Sequence, residues 1–473
     1  MKVLYAVSEA RPFVVSGGLA DVAGSLPQAL RKRMVGVRVV LPLYDSIPQE
    51  YKDQMKFITH ITVPVAWRRQ YCGIFEYRQD GVVYYFLDNQ YYFKRDGLYG
   101  YYDDAERFAF FSRAILEIIP YINFKPDIIH CNDWQTALTP VYYTAMYSKN
   151  PDYHNIKTVL TIHNIQYQGL YGMELIGDII GLDGYDVSLV EYDACVNFLK
   201  GGIECSNKVT TVSPSYAKEI LDPWYSHGLD SILRAREWKL QGILNGISTD
   251  YYNPEDDEDI AANYSAQKPK NKAKCKAALQ KKLGLPENKD TPIIGMVSRL
   301  VSHKGLDLVK TIAEELVSAE NVQLAVLGSG DKIYEDYFKY LAEKYPDKVS
   351  FTAAFDAKLA KEIYAGSDMF LMPSKSEPCG LSQMIALRYG SIPIVRETGG
   401  LKDSVFDSGL GEGNGFTFSN YNAHDLLHCI RRAIEGYKDK KGWAMLQQRA
   451  MESDYSWKRS AGEYIKMYKE ILD

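Results

Sequence analysis

Two cations stand five residues apart in a glycine-containing loop, residues 298–305. Arg299 and Lys304 follow an apolar run at residues 293–297, and Gly305 comes directly after them. Arginine can bind phosphate through two parallel hydrogen bonds, whereas lysine acts as a point charge. Fixed cations beside a departing diphosphate lower the barrier to bond cleavage. Such pairs are often merely solvated, but their position in this loop favours a diphosphate site.

An acidic residue occupies a second loop, which joins a short apolar run to a helical pattern. Glu377 lies in residues 373–381, where two prolines stiffen the chain and Gly380 lets backbone approach a ligand. The helix that begins near Leu381 offers free N–H groups and a partial positive charge to an anion. A carboxylate beside such a helix end suits a ligand with hydroxyls and phosphates, namely a nucleotide sugar. The alternative is a solvated glutamate in an ordinary loop.

Further candidate groups share this placement directly after a predicted strand. A glycine pair that opens a helix can present backbone amides to phosphate. A histidine can accept a proton or bind a sugar hydroxyl, and an aspartate has the same range of roles. Each group also has a plain structural interpretation, as a strand-end turn or a satisfied core residue. The groups are Gly17 with Gly18, Asp133, His163, and Gly399 with Gly400.

Apolar runs and helical patterns alternate in two series, which must position these groups. The first series opens at residues 3–7 and ends near Leu244, and the second opens at residues 293–297. This alternation predicts an α/β fold of two doubly wound Rossmann-like domains, residues 1–245 and 246–456, that face each other across a cleft. Residues 250–282, between the series, are highly charged, and we expect a solvated loop and helix there.

Composition excludes several classes of protein. The chain has 473 residues, 46% of them apolar, and a net charge of −5 with both signs dispersed, so no nucleic-acid footprint is present. No apolar run is long enough for a membrane span, and we expect no signal peptide because Glu9 and Arg11 follow the first apolar run too soon. The seven cysteines are scattered, which favours reduced thiols in a cytoplasm over a disulfide framework or a zinc site.

Motifs in chain order resemble those of bacterial glycogen synthases and plant starch synthases. The resemblance extends over essentially the whole chain. Its motifs are Ser8-Glu9, Ser16-Gly17-Gly18-Leu19-Ala20-Asp21-Val22, His130-Cys131-Asn132-Asp133-Trp134, Thr161-Ile162-His163-Asn164, Asn245-Gly246, Ser298-Arg299-Leu300 with Lys304-Gly305-Leu306-Asp307, Glu377-Pro378-Cys379-Gly380-Leu381 and Thr398-Gly399-Gly400-Leu401.

The resemblance implies a GT-B glycosyltransferase whose terminal helix, residues 457–473, packs back onto the first domain. The implied reaction moves glucose from ADP-glucose to the 4-hydroxyl at the non-reducing end of an α-1,4-glucan, with retention of configuration. The implied partners are the glucan and the nucleotide sugar. No metal or other cofactor is expected, and neither a nucleic acid nor a membrane is an expected partner.

The resemblance also implies roles for individual residues. Arg299 and Lys304 would hold the diphosphate, and Glu377 would contact the glucose hydroxyls. His163 and Asp133 would line the sugar and acceptor side. The other expected substrate-binding residues are Glu9, Gly17, Gly18, Asn164, Asn245, Cys379, Gly380, Leu381, Gly399 and Gly400.

One departure from the family pattern keeps alternatives open. The family motif reads Lys-x-Gly-Gly-Leu, and here Val15 stands where the lysine is expected. The missing cation leaves UDP-glucose as an alternative donor, and a non-catalytic glucan-binding protein as an alternative from another class. A Rossmann dehydrogenase is disfavoured because Gly328-Ser329-Gly330 lacks the third glycine of the dinucleotide fingerprint.

Overall fold

The computed structural model describes residues 1–473, apart from the side chain of Leu410. The chain divides into two compact units. The first comprises Met1–Leu244 together with Trp457–Asp473, and the second comprises Asn245–Ser456. Among the helices so described, none combines the length and apolarity that crossing a membrane requires.

A nine-stranded sheet forms the centre of the first unit, and a separate three-stranded sheet accompanies it. The strands are β1 Lys2–Ala6, β2 Gly36–Pro42, β3 Lys56–Val65, β4 Arg68–Gln79, β5 Val82–Asp88, β6 Ile128–Asn132, β7 Lys157–Ile162, β8 Leu170–Tyr171, β9 Glu191–Tyr192, β10 Cys195–Asn197, β11 Lys208–Thr211 and β12 Leu240–Gly242. The large sheet has the order β12-β11-β7-β6-β1-β2-β5-β4-β3, and β8, β10 and β9 form the small one.

The large sheet is parallel from β12 to β5, and the pairings of β5 with β4 and of β4 with β3 are antiparallel. Counted along the chain, its parallel strands follow the Rossmann order, which reverses direction between β1 and β6. Its helices are α1 Gly18–Lys32, α2 Gln49–Lys52, α3 Gln90–Phe93, α4 Asp104–Glu117, α5 Leu138–Tyr142, α6 Val187–Val190, α7 Phe198–Cys205, α8 Pro214–Glu219 and α9 Asp230–Ala235.

The second unit contains a six-stranded, fully parallel sheet in the order β15-β14-β13-β16-β17-β18. Its strands are β13 Ile293–Val297, β14 Gln323–Leu327, β15 Val349–Thr352, β16 Met369–Met372, β17 Ile392–Arg396 and β18 Phe416–Phe418. Its helices are α10 Lys272–Lys282, α11 Leu306–Ala319, α12 Lys332–Lys344, α13 Ala357–Gly366, α14 Ser382–Arg388, α15 Gly399–Ser404, α16 Ala423–Lys438 and α17 Lys440–Glu452. The strand order is again that of a Rossmann fold, so the predicted pair of parallel α/β domains is confirmed.

A terminal helix, α18 Trp457–Leu472, belongs to the first unit although it follows the second in the chain. Tyr464 and Tyr468 are fully buried, and the Tyr468 hydroxyl lies 2.6 Å from Nδ1 of His130 on β6. The Ser460 hydroxyl donates to the carbonyl of Leu244 at 2.6 Å. The helix therefore completes the core of the first unit.

The charged segment, residues 250–282, has the predicted loop and helix, but the expectation that it is solvated was wrong for several of its charges. Lys361 Nζ lies 3.1 Å from a carboxylate oxygen of Asp257, which is buried, and 3.1 Å from one of Asp259. On α10, Lys272 is buried and donates to backbone carbonyls, and buried Lys276 pairs with a carboxylate of the second unit at 2.8 Å. Ion pairs and carbonyl acceptors satisfy these charges, so the segment packs on the unit.

Candidate functional site

The cationic loop and the acidic loop lie side by side in the second unit. Residues 298–305 follow β13, and residues 373–381 follow β16, its neighbour in the sheet. Between these two strands the strand order reverses, and ligands of open α/β sheets bind at such switch points. Topology alone thus brings Arg299, Lys304 and Glu377 to one edge of this sheet.

A short ion pair joins the two loops. Lys304 Nζ lies 2.6 Å from Oε2 of Glu377, and Ser374 Oγ donates to the same oxygen at 3.0 Å. The Glu377 side chain is 9% exposed and the Lys304 side chain 18% exposed. Arg299 is exposed and has no ion-pair partner in the described chain, so its guanidinium is available to an anion. The pair holds both charged groups in fixed positions.

Two glycines let the loops approach each other closely. Gly305 has φ +75°, and a Cβ there would lie 2.0 Å from the carbonyl oxygen of Pro373. Gly399 has φ +45°, and its Cβ would lie 2.0 Å from the carbonyl oxygen of Glu377. The N–H of Gly400 donates to that carbonyl at 3.1 Å. The loops after β13, β16 and β17 therefore interlock, which fixes the backbone around Glu377.

Cys379, within the acidic loop, contacts the backbone of Asn245 through its thiol. Burial raises the pKa of the Cys379 thiol to about 12, and a hydrogen bond from the Asn245 backbone opposes that rise. The Cys379 side chain is therefore a neutral packing group at pH 7. Asn245 is buried, and its Oδ1 has no hydrogen-bond partner among the residues described.

The first unit places its candidate groups at its own switch point. Glu9 follows β1, Asp133 follows the neighbouring strand β6, and His163 follows β7. Asp133 Oδ1 accepts the backbone N–H of His163 at 2.7 Å, and the Asn164 backbone also donates to this carboxylate. Sequence reasoning found no partner for Asp133 or His163, and the structure joins them because the strands that precede them, β6 and β7, are paired.

The electrostatic environment of Asp133 and His163 constrains what each can do. Burial raises the pKa of Asp133 to about 7, opposed by the two backbone donors. Burial lowers the pKa of His163 to about 3, so its ring is neutral at pH 7. His163 Nε2 lies 2.9 Å from Oδ1 of Asn132, whose amide nitrogen donates to the carbonyl of Ala6. Nε2 therefore carries the proton, and Nδ1 is left as the ring's acceptor.

Asp133 also adopts an unusual backbone conformation, with φ 55° and ψ −175°. This region is populated almost only by glycine and costs a non-glycine residue about 1–3 kcal/mol. Strain of this kind persists where surrounding contacts impose it, and it is concentrated at functional sites. The bonds from His163 and Asn164 are such contacts.

Glu9 organises the glycine loop that precedes α1. Its buried carboxylate accepts hydrogen bonds from the backbone N–H of Ser16 and, at 3.3 Å, from that of Gly17. Burial raises the pKa of Glu9, and these hydrogen bonds oppose that rise. The Gly17 amide is thus already bound. Apart from the adjacent residues and the backbone of α1, no described atom lies within 4 Å of a Cβ built at Gly17 or Gly18, so the space above this turn is open. Val15, 42% exposed, contributes no cation to this loop.

Sequence reasoning missed two buried residues of the acidic loop and its helix. Ser374 holds Glu377, and Gln383 contacts the loop backbone. Gln383 lies four residues after Cys379, a spacing at which a side chain in the first helical turn contacts the preceding backbone. This spacing is the only feature of the sequence that indicated a role for Gln383.

Comparisons with known proteins define the class first. Residues 2–235 match the family described as "Starch synthase catalytic domain", and residues 279–447 match "Glycosyl transferases group 1". The catalytic domain of starch synthase IV from Arabidopsis thaliana, solved with ADP and acarbose, superposes with a TM-score of 0.91 at 35% identity, covering 100% of this chain and 99% of that one. The two Rossmann-like units are those of a GT-B glycosyltransferase.

Curated relatives then give the family. A glycogen synthase from Geobacillus thermodenitrificans is 52% identical over 100% of this chain and 98% of its own. One from Bacillus cereus strain ATCC 10987 is 52% identical over 100% of both chains. The chain belongs to the family of bacterial glycogen synthases and plant starch synthases, and it is a glucosyltransferase.

Proposed function

We propose that this chain is a glycogen synthase that transfers glucose from ADP-glucose to the non-reducing end of an α-1,4-glucan with retention of configuration. The observation that carries the proposal is the ion pair of Lys304 and Glu377 at the switch point of the second unit, beside exposed Arg299. The names of the relatives and the ADP and acarbose bound to the Arabidopsis enzyme support these substrate classes.

Charge neutralisation is the proposed role of the cationic loop. As the bond between C1 of glucose and the diphosphate breaks, negative charge develops on the phosphate oxygens. Arg299 and Lys304 supply fixed positive charge for it, which stabilises the transition state more than the ground state. The Lys304 ammonium is already held by Glu377, so little reorganisation accompanies the reaction.

Glu377 is proposed to accept hydrogen bonds from glucose hydroxyls with the carboxylate lone pairs that Lys304 and Ser374 leave free. On the acceptor side, neutral His163 accepts a hydrogen bond through Nδ1, because its lowered pKa excludes a protonated ring at pH 7. Asp133 receives two backbone donors and shapes the same strand end. Asn164 follows His163 in that turn, and the open glycine turn beside Glu9 leaves room for substrate.

The proposed step conserves atoms and charge on one face of the sugar. The C1–oxygen bond to the diphosphate breaks, the acceptor O4 forms a bond to C1, and the O4 proton passes to a phosphate oxygen. No protein nucleophile is needed, and the reaction as proposed uses no metal. We place it in the cytoplasm, in keeping with seven cysteines that form no disulfide in the described chain.

Glucose incorporation into glycogen tests the proposal, with ADP-glucose and UDP-glucose in parallel and nucleoside diphosphate release followed alongside. Strong transfer from ADP-glucose is expected. Arg299→Ala and Lys304→Ala should each reduce turnover sharply, whereas Lys332→Ala, which removes an exposed lysine paired with Asp336, should not. A preference for UDP-glucose would correct the donor. Glucan binding without transfer from either donor would favour a non-catalytic binding protein.

A further inference from the structure

One buried amide connects the acidic loop to Ser404, the last residue of α15. Gln383, on the first turn of α14, is 0% exposed. Its Nε2 donates to the carbonyl of Cys379 at 3.1 Å, to that of Gly380 at 2.9 Å and to Ser404 Oγ at 3.0 Å. Two of these partners are carbonyl oxygens, which only accept, so the NH₂ group must face them. Oε1 has no hydrogen-bond partner in the described chain, and the NH₂ contacts alone orient the amide.

Ser404 is itself fixed. Its hydroxyl donates to the carbonyl of Gly400 at 2.5 Å, and its own carbonyl accepts from the Tyr455 hydroxyl at 2.5 Å and from Asn414 Nδ2 at 3.1 Å. Since the Ser404 hydroxyl proton is used on Gly400, its oxygen is an acceptor for Gln383. Ser404 on α15 therefore fixes the side-chain amide of Gln383, and that amide in turn fixes the backbone of the acidic loop.

Fixing two carbonyls also fixes two amides. The C=O and N–H of one trans peptide unit point in opposite directions. With the carbonyls of Cys379 and Gly380 directed at Gln383, the N–H groups of Gly380 and Leu381 point away from it. Neither N–H has an acceptor in the part of the chain that is described, and both residues are partly exposed. Consecutive free amides of this kind form a cradle for oxygen ligands.

We propose that Gln383 is a positioning residue that aims the amides of Gly380 and Leu381 at oxygen atoms of the bound nucleotide sugar. This inference rests on the proposed function and adds a residue to it. Gln383 touches no substrate atom itself and acts through the backbone of the loop that carries Glu377. The absence of a side chain at Gly380 leaves room for the Gln383 amide, because a Cβ at this position, where φ is +70°, would lie 2.5 Å from Oε1 of Gln383.

The chain contains a matched control for this residue. Gln280, on α10 of the same unit, is 1% exposed and donates through Nε2 to the carbonyl of Asn288 at 3.0 Å and to Oε1 of Gln323 at 2.8 Å. It is as buried and as well bonded as Gln383 but holds no loop of the candidate site. Gln280→Met and Gln383→Met therefore remove comparable structural contacts.

The test measures the affinity of the full chain for ADP-glucose by calorimetry, and kcat and KM for donor and glucan. Gln383→Met should weaken donor affinity and kcat/KM for the donor about tenfold or more, since one hydrogen bond contributes two- to tenfold and two amides are misaligned. KM for glucan should stay within about twofold, and Gln280→Met should leave all constants within about twofold.

Should Gln383→Met fail to fold, Ser404→Ala, which removes one partner of the amide, is expected to produce a smaller change in the same direction. Donor constants that stay unchanged in both variants, or that fall equally in Gln280→Met, would overturn the inference. A wild-type chain that transfers glucose from neither donor would instead refute the proposed function. Donor affinity, which needs no turnover, would still decide the role of Gln383.

Discussion

The ion pair of Lys304 and Glu377 predicts an asymmetric response to loss of either partner. Lys304→Met leaves a carboxylate that is 9% exposed, with Ser374 as its remaining partner. Stranding one charge of a buried pair costs about 3–5 kcal/mol, and the partial exposure of this pair places the cost near the lower end. Glu377→Gln leaves an ammonium that is 18% exposed and can be hydrated, at a cost of about 1 kcal/mol.

The double variant separates charge from packing. Lys304→Met combined with Glu377→Gln strands no charge, so it should be more stable than Lys304→Met alone, with a coupling of about 2 kcal/mol. Hydrogen exchange of peptides that cover β13 and β16 in the full chain reports the opening free energy of this segment without assuming two-state unfolding of both units.

An exposed pair supplies the control. Lys282 and Glu362 pair in the same unit with side chains 46% and 18% exposed, and the corresponding substitutions there should change stability by about 0.5 kcal/mol or less. Equal costs for Lys304→Met and Glu377→Gln, or a double variant equal to the sum of the single ones, would refute the assignment of the pair as buried and coupled.

Four further changes test other features. Burial lowers the pKa of His130 and His163 to about 3, so the unfolded chain binds protons below pH 6.5 that the folded chain does not. Stability, full above pH 6.5, should fall by about 1.4 kcal/mol per pH unit for each histidine as pH drops towards 3, as urea unfolding would show. The pKa of Asp133 is raised to about 7 in the folded chain, so ionising this carboxyl destabilises the fold. The loss of folding stability grows between pH 3.8 and 7 and is complete above pH 7. Asp133→Asn should therefore be more stable at pH 8 by up to about 4 kcal/mol while losing activity. Val15→Lys, which adds a cation beside the open glycine turn, should tighten ADP binding about ten- to a hundredfold by calorimetry. Gly305→Ala, whose Cβ would meet the Pro373 carbonyl, should destabilise the second unit by about 2 kcal/mol or more by thermal unfolding.

Each of these expectations has a contrary result. A pH slope that is unchanged in His130→Gln would show that this ring titrates normally. If the gain in stability of Asp133→Asn over wild type were no larger at pH 8 than at pH 5, ionisation of Asp133 would not destabilise the fold. An unchanged ADP affinity in Val15→Lys would exclude phosphate from that turn. Wild-type stability in Gly305→Ala would mean that the two loops move apart without cost.

Elements with unbroken apolar runs could be predicted from the sequence almost to the residue. β13 was expected at the bounds the structure gives, residues 293–297, and the terminal helix α18 was expected to within one residue of its bounds. A run of four or five buried apolar residues between turns fits a parallel strand and little else. The strand-end position of Arg299 and Glu377 followed from the same runs, because the carboxyl ends of parallel strands share one edge of a sheet.

Contacts distant in sequence could not be predicted in this way. The partner of Lys304 lies on another loop, and the strained φ of Asp133 depends on donors in the turn that follows β7. The burial of Lys272 was missed because composition counts charges without showing which are paired. Gln383 has no distinguishing residue type, and its role becomes visible only when the direction of two peptide planes is known.

The packing of α18 has a consequence for biosynthesis. Tyr464 and Tyr468 cover His130 in the first unit, yet they follow the entire second unit in the chain. A ribosome therefore releases the strands of the first unit long before the helix that seals them. During that interval the β6 surface around His130 stays uncovered, and the second unit must be synthesised before the first can reach its final packing.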